Sequence, residues 1–112
     1  MNSTPLESLT QAKFAECLNT GFQVWINSTE TMELRLAEVT SGLMAASNGQ
    51  RGGQFESFSL MFHGPNSRFL PQKTYTFEHP RLGKFELFIV PVGRDGDLFK
   101  YQAVFNRRIQ SA

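Results

Sequence analysis

The sequence contains very little of what disulfide-rich, membrane-spanning or metal-binding proteins display. It has one cysteine, Cys17, and two histidines among its 112 residues. A single cysteine excludes an internal disulfide and cannot form a cysteine-based zinc site by itself. No apolar run approaches the roughly 20 residues that a membrane-spanning helix needs. The residues therefore exclude a disulfide scaffold and give no support for a helical membrane protein.

The charges nearly cancel, with eleven basic and ten acidic residues and a net charge of +1. Binding to nucleic acid or to an anionic membrane generally requires a concentrated basic face. We therefore expect neither nucleic acid nor membrane among the partners. The first residues, MNSTPLESL, lack the basic region and the continuous apolar stretch of a signal peptide, which predicts a cytoplasmic protein.

Motifs of common enzyme classes are also missing. The chain has no G-x-S-x-G, no P-loop and no G-x-G-x-x-G. Cys17 lies among apolar residues of a predicted helix, which indicates an inert core thiol rather than a reactive thiolate. His63 and His79 lie at predicted strand ends and could share a rim if those strands are neighbours, but a catalytic metal would need a third ligand such as Glu78. We therefore predict no catalytic residue, no metal and no cofactor.

What the chain does contain is phenylalanine, at 11 of its 112 residues. Phe fills protein interiors, whereas Tyr and Trp are favoured where one edge of the ring stays wet. Residues 1–112 are predicted to form one domain, because a chain of this length builds a single core. Most of the phenylalanines lie in residues 55–106, which we predict to be the β core, and residues 107–112 form a polar tail.

An amphipathic helix is predicted within residues 5–19. The sequence TPLE at residues 4–7 has the form of a capping box with proline in the first helical position. Apolar residues then recur at three- to five-residue intervals up to Leu18, and Gly21 supplies a stop. The segment could also divide into a short turn and a second helix that begins near Thr10.

Six segments alternate between apolar and polar residues with the period of a half-buried β-strand. The alternation slips at Ala37, which predicts either a β-bulge or a coiled strand end. Short connections between successive strands favour a largely antiparallel meander, so the predicted fold is mainly β (α+β): a helix packed on six strands that form a small barrel, a curled sheet or a sandwich. The six segments are residues 22–26, 32–39, 58–63, 74–78, 85–90 and 101–106.

Residues 40–54 differ from the rest in composition. They contain four glycines, and their sizeable apolar residues are Leu43 and Met44. This composition predicts a flexible loop, which is long for so small a domain. The loop is either a mobile connector or a segment that becomes ordered on a partner with Leu43 and Met44 as anchors.

Five short motifs together resemble the signature of a small bacterial domain family of unknown function. The front of the chain, with Phe14 followed by Gly21 and Phe22, resembles the opening of that family. The resemblance implies no assigned activity, and it supplies no functional residue that can be carried over to this chain. It also suggests an association with phage tail-collar-like proteins, which would suit an accessory or assembly role. The motifs are FSLxFxGP at residues 58–65, LPQxxY at 70–75, HPxLG at 79–83, LFxVPVG at 87–93 and YxAxFN at 101–106.

Three functions are compatible with these residues. The first is a non-enzymatic interaction or assembly module that binds a protein partner or itself through a sheet edge or the loop after Val39. The second is a small-ligand-binding β barrel with Gln72, Tyr75 or His79 at its mouth. The third is a metal-dependent enzyme that uses His63 and His79. The residues predicted to contact a partner or ligand are Leu43, Met44, Gln72, His79 and Asn106.

Overall fold

The computed structural model describes residues 9–41 and 54–109, and for residues 54–56 and 106–109 it describes the backbone alone. One short helix precedes six strands in these residues. The elements are α1 (Gln11–Ala15), β1 (Gly21–Trp25), β2 (Thr31–Ser41), β3 (Gln54–Pro65), β4 (Lys73–His79), β5 (Gly83–Asp95) and β6 (Leu98–Ile109).

The strands close into an antiparallel barrel in the order β1-β2-β3-β6-β5-β4. This confirms the predicted small, mainly β barrel. The simple meander is wrong at one connection, because β3 pairs with β6 and not with β4. Residues 66–72, which connect β3 to β4, are enough chain to cross the end of the barrel. As a result β4 pairs with β1 and β5 on the far side.

The predicted bulge in β2 is confirmed. The pairing of β2 with β3 shifts register between Leu36 and Glu38, at the position where the alternation slips in the sequence. One extra residue in a strand bends it and increases its twist. The bulge therefore helps β2 to curve around the barrel.

Helix α1 is shorter than the segment predicted at residues 5–19. Residues 5–8 lie outside the described residues, and α1 begins at Gln11 with Thr10 as its N-cap, where the alternative division of the segment placed a helix start. The Thr10 hydroxyl accepts a hydrogen bond from the backbone N–H of Lys13 at 3.2 Å. A turn follows, and Asn19 adopts a left-handed φ of 67°. The Asn19 N–H then donates to the carbonyl of Leu36 at 2.7 Å, so the end of the turn is held against β2.

Each end of the barrel is closed by a different segment. At the end that we call the helix end, α1 and the residues on either side of it bury Leu9, Phe14 and Cys17. At the opposite end, the connector end, residues 66–72 bury Leu70. The N–H of Leu70 donates to the hydroxyl of Tyr101 at 3.0 Å, which holds the connector across the barrel.

Aromatic rings fill the interior between these two ends. Phe22 contacts Phe62 edge-on at 5.4 Å and Phe77 at 6.4 Å between ring centroids. Such edge-to-face pairs stabilise a core beyond the area that they bury. The phenylalanines therefore serve mainly as core, as their alternation in the sequence indicates. In the part of the chain that the structure describes, no helix combines the length and the hydropathy needed to cross a membrane.

Candidate functional site

The barrel is weakly closed along one seam, between β1 and β4. Strand β4 pairs with β5 along its whole length, from Lys73 to His79. It pairs with β1 only over residues 76–78. On the β1 side, residues 73–75 therefore have no strand partner among the described residues, and they leave a short open sheet edge at the connector end.

The seam is short because β1 ends early. The side-chain oxygen of Asn27 accepts hydrogen bonds from the backbone N–H groups of Thr29 and Glu30, both at 2.9 Å. This is the local bonding by which Asn replaces strand pairing with a turn. The chain consequently leaves β4 after Trp25 and turns into β2, while β4 extends three residues farther.

A groove of about 670 Å³ lies along this open edge. Its volume falls in the range of roughly 300–1,000 Å³ that is typical of ligand sites. One wall is the β1–β2 turn and the other is the first half of β4, with residues of β5 beyond it. The lining residues are Trp25, Ile26, Asn27, Ser28, Lys73, Thr74, Tyr75, Thr76, Lys84, Phe85 and Glu86.

Trp25 organises the outer part of the groove. Its indole N–H donates to a carboxylate oxygen of Glu78 at 3.2 Å. The ammonium of Lys84 lies 5.5 Å from the centre of the Trp25 ring, within cation–π distance. Tryptophan is favoured where the apolar body of the ring is covered and its polar N–H edge stays in contact with water, and it is frequent at binding hot spots.

Tyr75 organises the inner part of the groove. Its hydroxyl donates to the carbonyl of Pro71 at 2.7 Å, and the ammonium of Lys73 lies 5.3 Å from the centre of its ring. Burial raises the pKa of the Tyr75 hydroxyl above its usual 10.0, with a smaller contribution from Tyr101. Tyr75 is therefore a neutral hydrogen-bond donor that fixes the start of β4 against the connector.

Phe88 extends an apolar surface beside the groove. It is paired with Thr74 in the β4–β5 register and is 49% exposed. Phe88 faces outward because in a closed barrel only one face of each strand meets the core. A large exposed ring next to an open strand edge is typical of a binding surface.

His79 lies at the helix end, away from the groove, and is only 4% exposed. The N–H of Arg81 donates to its Nδ1 at 3.0 Å, so the proton of the neutral ring resides on Nε2. Nε2 lies 2.9 Å from the Thr20 hydroxyl, which in turn donates to the carbonyl of Cys17. This chain of bonds satisfies every polar atom of the imidazole in its neutral form.

Cys17 belongs to the same cluster, with its Sγ 3.9 Å from Nδ1 of His79. Burial raises the pKa of the Cys17 thiol above its usual 9.0, an effect that Arg81 partly offsets. A raised pKa disfavours the thiolate, which is the nucleophilic form. The cluster therefore has the character of a structural polar network that ties the turn after α1 to the end of β4.

Replacing His79 by Gln is expected to make the free energy of unfolding less dependent on pH between pH 7.5 and 5.5. Burial, with a further contribution from the Arg81 charge, lowers the pKa of His79 below its usual 6.5. Below pH 6.5 the unfolded chain binds a proton that the folded chain does not, so the free energy of unfolding falls as the pH falls, by at most about 1.4 kcal/mol per pH unit. Urea unfolding at several pH values measures this slope.

The comparison for that measurement is the unaltered protein, unfolded at the same pH values. The His79→Gln variant should lose the part of the slope that belongs to one histidine. Equal slopes in the two proteins would show that His79 is protonated in the folded state as readily as in the unfolded chain.

The two histidines do not share a rim. His63 lies on β3, which pairs with β2 and β6, whereas His79 lies on β4, which pairs with β1 and β5. The condition under which they could form a metal site is therefore not met. Among residues 9–41 and 54–109, no three His, Cys, Asp or Glu side chains are grouped so that they could hold a metal ion.

The remaining predicted contact residues are distributed over the chain. Gln72 is exposed and directly precedes Lys73, beside the groove. Asn106 pairs with Ser57 in the backbone register, toward the helix end. Leu43 and Met44 lie outside the described residues. The contact roles assigned to these residues and to His79 stay predictions, and among the described ones, Gln72, His79 and Asn106, Gln72 is the residue beside the groove.

Of the residues that line the groove, Tyr75 was named from the sequence as a candidate at the mouth of a ligand-binding barrel, whereas Trp25, Lys73 and Lys84 were missed. One signal was present, because Trp25 is the single tryptophan and takes an outward position in the alternation of β1. The two lysines carried no signal, since solvated lysines are ordinary on strands of this kind.

Comparison with known proteins shows that the chain matches the model of a protein family. A family model described as Domain of unknown function (DUF6916) matches residues 9–105. No curated protein and no solved structure matches the chain. The match covers every described strand except the end of β6.

Proposed function

The chain belongs to this family of unknown function, and we propose that it is a non-enzymatic protein-interaction module that binds an extended segment of a partner protein at the β1–β4 seam. The single observation that carries the proposal is the unpaired stretch of β4 at residues 73–75, which faces a groove of about 670 Å³. A strand edge of this kind binds partners by strand addition, in which backbone hydrogen bonds give affinity and neighbouring pockets select side chains.

The surroundings of the edge support this mode of binding. Trp25 and Phe88 offer aromatic surface on the outer face, and aromatic residues are the commonest anchors of protein interfaces. The lining of the groove contains no cysteine or histidine that could act as a nucleophile or general base. The proposal includes an accessory or assembly role in the cytoplasm, in association with phage tail-like proteins.

The test is site-specific photocrosslinking in the native cells. A photoreactive phenylalanine derivative replaces Thr74, which is exposed and lines the groove, or Thr40, which is an equally exposed threonine on β2. We expect Thr74 to give a discrete crosslinked band containing one partner protein, and Thr40 to give none. The same band from both positions, or none from Thr74, would overturn the proposal.

A small molecule in the same groove is a second candidate, because the groove volume suits one. The ligand-binding barrel of the second hypothesis placed its ligand in the barrel, but core side chains such as Phe22 and Phe62 occupy the interior. A ligand would give no protein adduct from Thr74. It would instead appear in the native mass spectrum of the purified protein, and be lost when Ser28 is replaced by Trp.

A further inference from the structure

Two lysines lie on the walls of the groove, and in the part of the chain that the structure describes neither forms an ion pair within 4.0 Å. Lys73 lies over the Tyr75 ring and Lys84 over the Trp25 ring, at 5.3 and 5.5 Å. A cation over an aromatic face is fixed in position but keeps its charge and its donors. Both lysines line the groove as positioned cations.

The carboxylates near the groove are mostly engaged elsewhere. Glu30, on the β1–β2 turn, forms an ion pair with Arg68 of the connector at 3.7 Å. Glu78 pairs with Lys84 in the β4–β5 register, and its carboxylate accepts the hydrogen bond of the Trp25 indole. Among the lining residues this leaves two lysines against the single carboxylate of Glu86, a net charge of +1.

A strand bound at this edge would take water away from both ammonium groups. Removing water from a charge without supplying a partner is costly, and a paired charge avoids most of that cost. The bound segment must therefore bring acceptors to Lys73 and Lys84, and ionised carboxylates are the strongest ones available in a protein.

Resting on the proposed function, we infer that the partner segment is an extended stretch of chain that carries Asp or Glu side chains, and that Lys73 and Lys84 select it. Glu86 also lines the groove, and its carboxylate repels a partner carboxylate placed on its side, which disfavours acidic residues there. The acidic residues of the partner therefore lie toward Lys73, at the connector end.

The experiment selects binding peptides directly. A library of random nonapeptides displayed on phage, with no free C-terminus, is selected on the full-length protein and counter-selected on the Ser28→Trp variant. Ser28 is exposed, and the hydrogen bonds of its turn involve Asn27, Thr29 and Glu30, so this variant should fold with its groove blocked. Thermal unfolding checks the fold, and Thr74→Trp replaces the variant if it fails.

We expect the selected peptides to be enriched in Asp and Glu relative to the starting library. Synthetic, C-terminally amidated copies should bind about 5- to 30-fold more weakly to the Lys73→Gln/Lys84→Gln double variant. Their binding should also weaken with added salt. The matched control is Lys13→Gln on α1, at the opposite end of the barrel, which should leave affinity unchanged.

The two possible failures are distinct. Peptides that require an open groove, but show no acidic enrichment and bind the double variant as well as the unaltered protein, would overturn the inference on charge and leave the interaction module standing. If no peptide distinguishes the unaltered protein from the groove-blocked variant, the proposed function fails together with the inference.

Discussion

Replacing Phe14 by Ala is expected to lower the free energy of unfolding by about 3–5 kcal/mol. The Phe14 ring is fully buried and contacts the rings of Phe58, Phe85 and Phe105 at 6.1, 5.9 and 5.6 Å between centroids. These three rings belong to different strands, so Phe14 joins the β3–β6 side of the barrel to β5. Urea unfolding of the two proteins at pH 7.5 measures the difference.

A loss of this size is a large part of the roughly 5–15 kcal/mol that stabilises a small domain. The control is Phe69→Ala in the connector, because Phe69 is 52% exposed even though its ring contacts Phe99 at 5.3 Å. That substitution should cost less than about 1 kcal/mol. Similar losses in the two variants would mean that α1 is an appendage of the barrel and not part of its core.

Replacing Tyr101 by Phe is expected to lower the free energy of unfolding by about 1–3 kcal/mol. The ring and its packing are kept, but the buried N–H of Leu70 loses its acceptor, the Tyr101 hydroxyl at 3.0 Å. An unpaired buried donor costs its full desolvation free energy, which is why a single oxygen matters here. Hydrogen exchange at the Leu70 amide should accelerate in parallel.

The comparison for this prediction is Tyr75→Phe. Its hydroxyl donates to the carbonyl of Pro71, which is exposed, so water can replace the lost donor. The loss should be smaller, about 0.5–1.5 kcal/mol. A Tyr101→Phe variant with unchanged stability and unchanged exchange at Leu70 would show that the connector does not depend on this bond.

Most of the barrel could be predicted from the sequence, because the alternation of apolar and polar residues reports directly which face of each strand is buried. The slip at Ala37 predicted the bulge for the same reason. The choice of neighbours could not be predicted in this way. Whether β3 pairs with β4 or β6 depends on the path of residues 66–72, and that path is set by the burial of Leu70 against Tyr101, a contact between residues 31 positions apart.

Most of the candidate site could not be predicted from the sequence, for a similar reason. The groove exists because β4 continues past the point where Asn27 turns β1 away, and the offset between two strands is not a property of either sequence segment. Gln72 was selected from a turn motif and lies beside the groove, whereas His79 was selected in the same way and lies at the other end. Turn residues mark the ends of strands but do not indicate which end is open.

The pairing of β3 with β6 has a consequence for how the chain is made. It joins Gln54 to Ile109 and Pro65 to Leu98, so the longest ladder of the barrel connects segments that are far apart in sequence. Ladders of this kind form slowly, because a large loop must close before any contact is gained. On the ribosome, β3 is synthesised after its neighbour β2 but well before β6, so its other edge has no partner strand in the meantime, and Phe58 and Phe62 lack the β6 side of the core. Folding of the nascent chain must therefore wait for the last strand, and the interval before it arrives is when this protein is most exposed to aggregation.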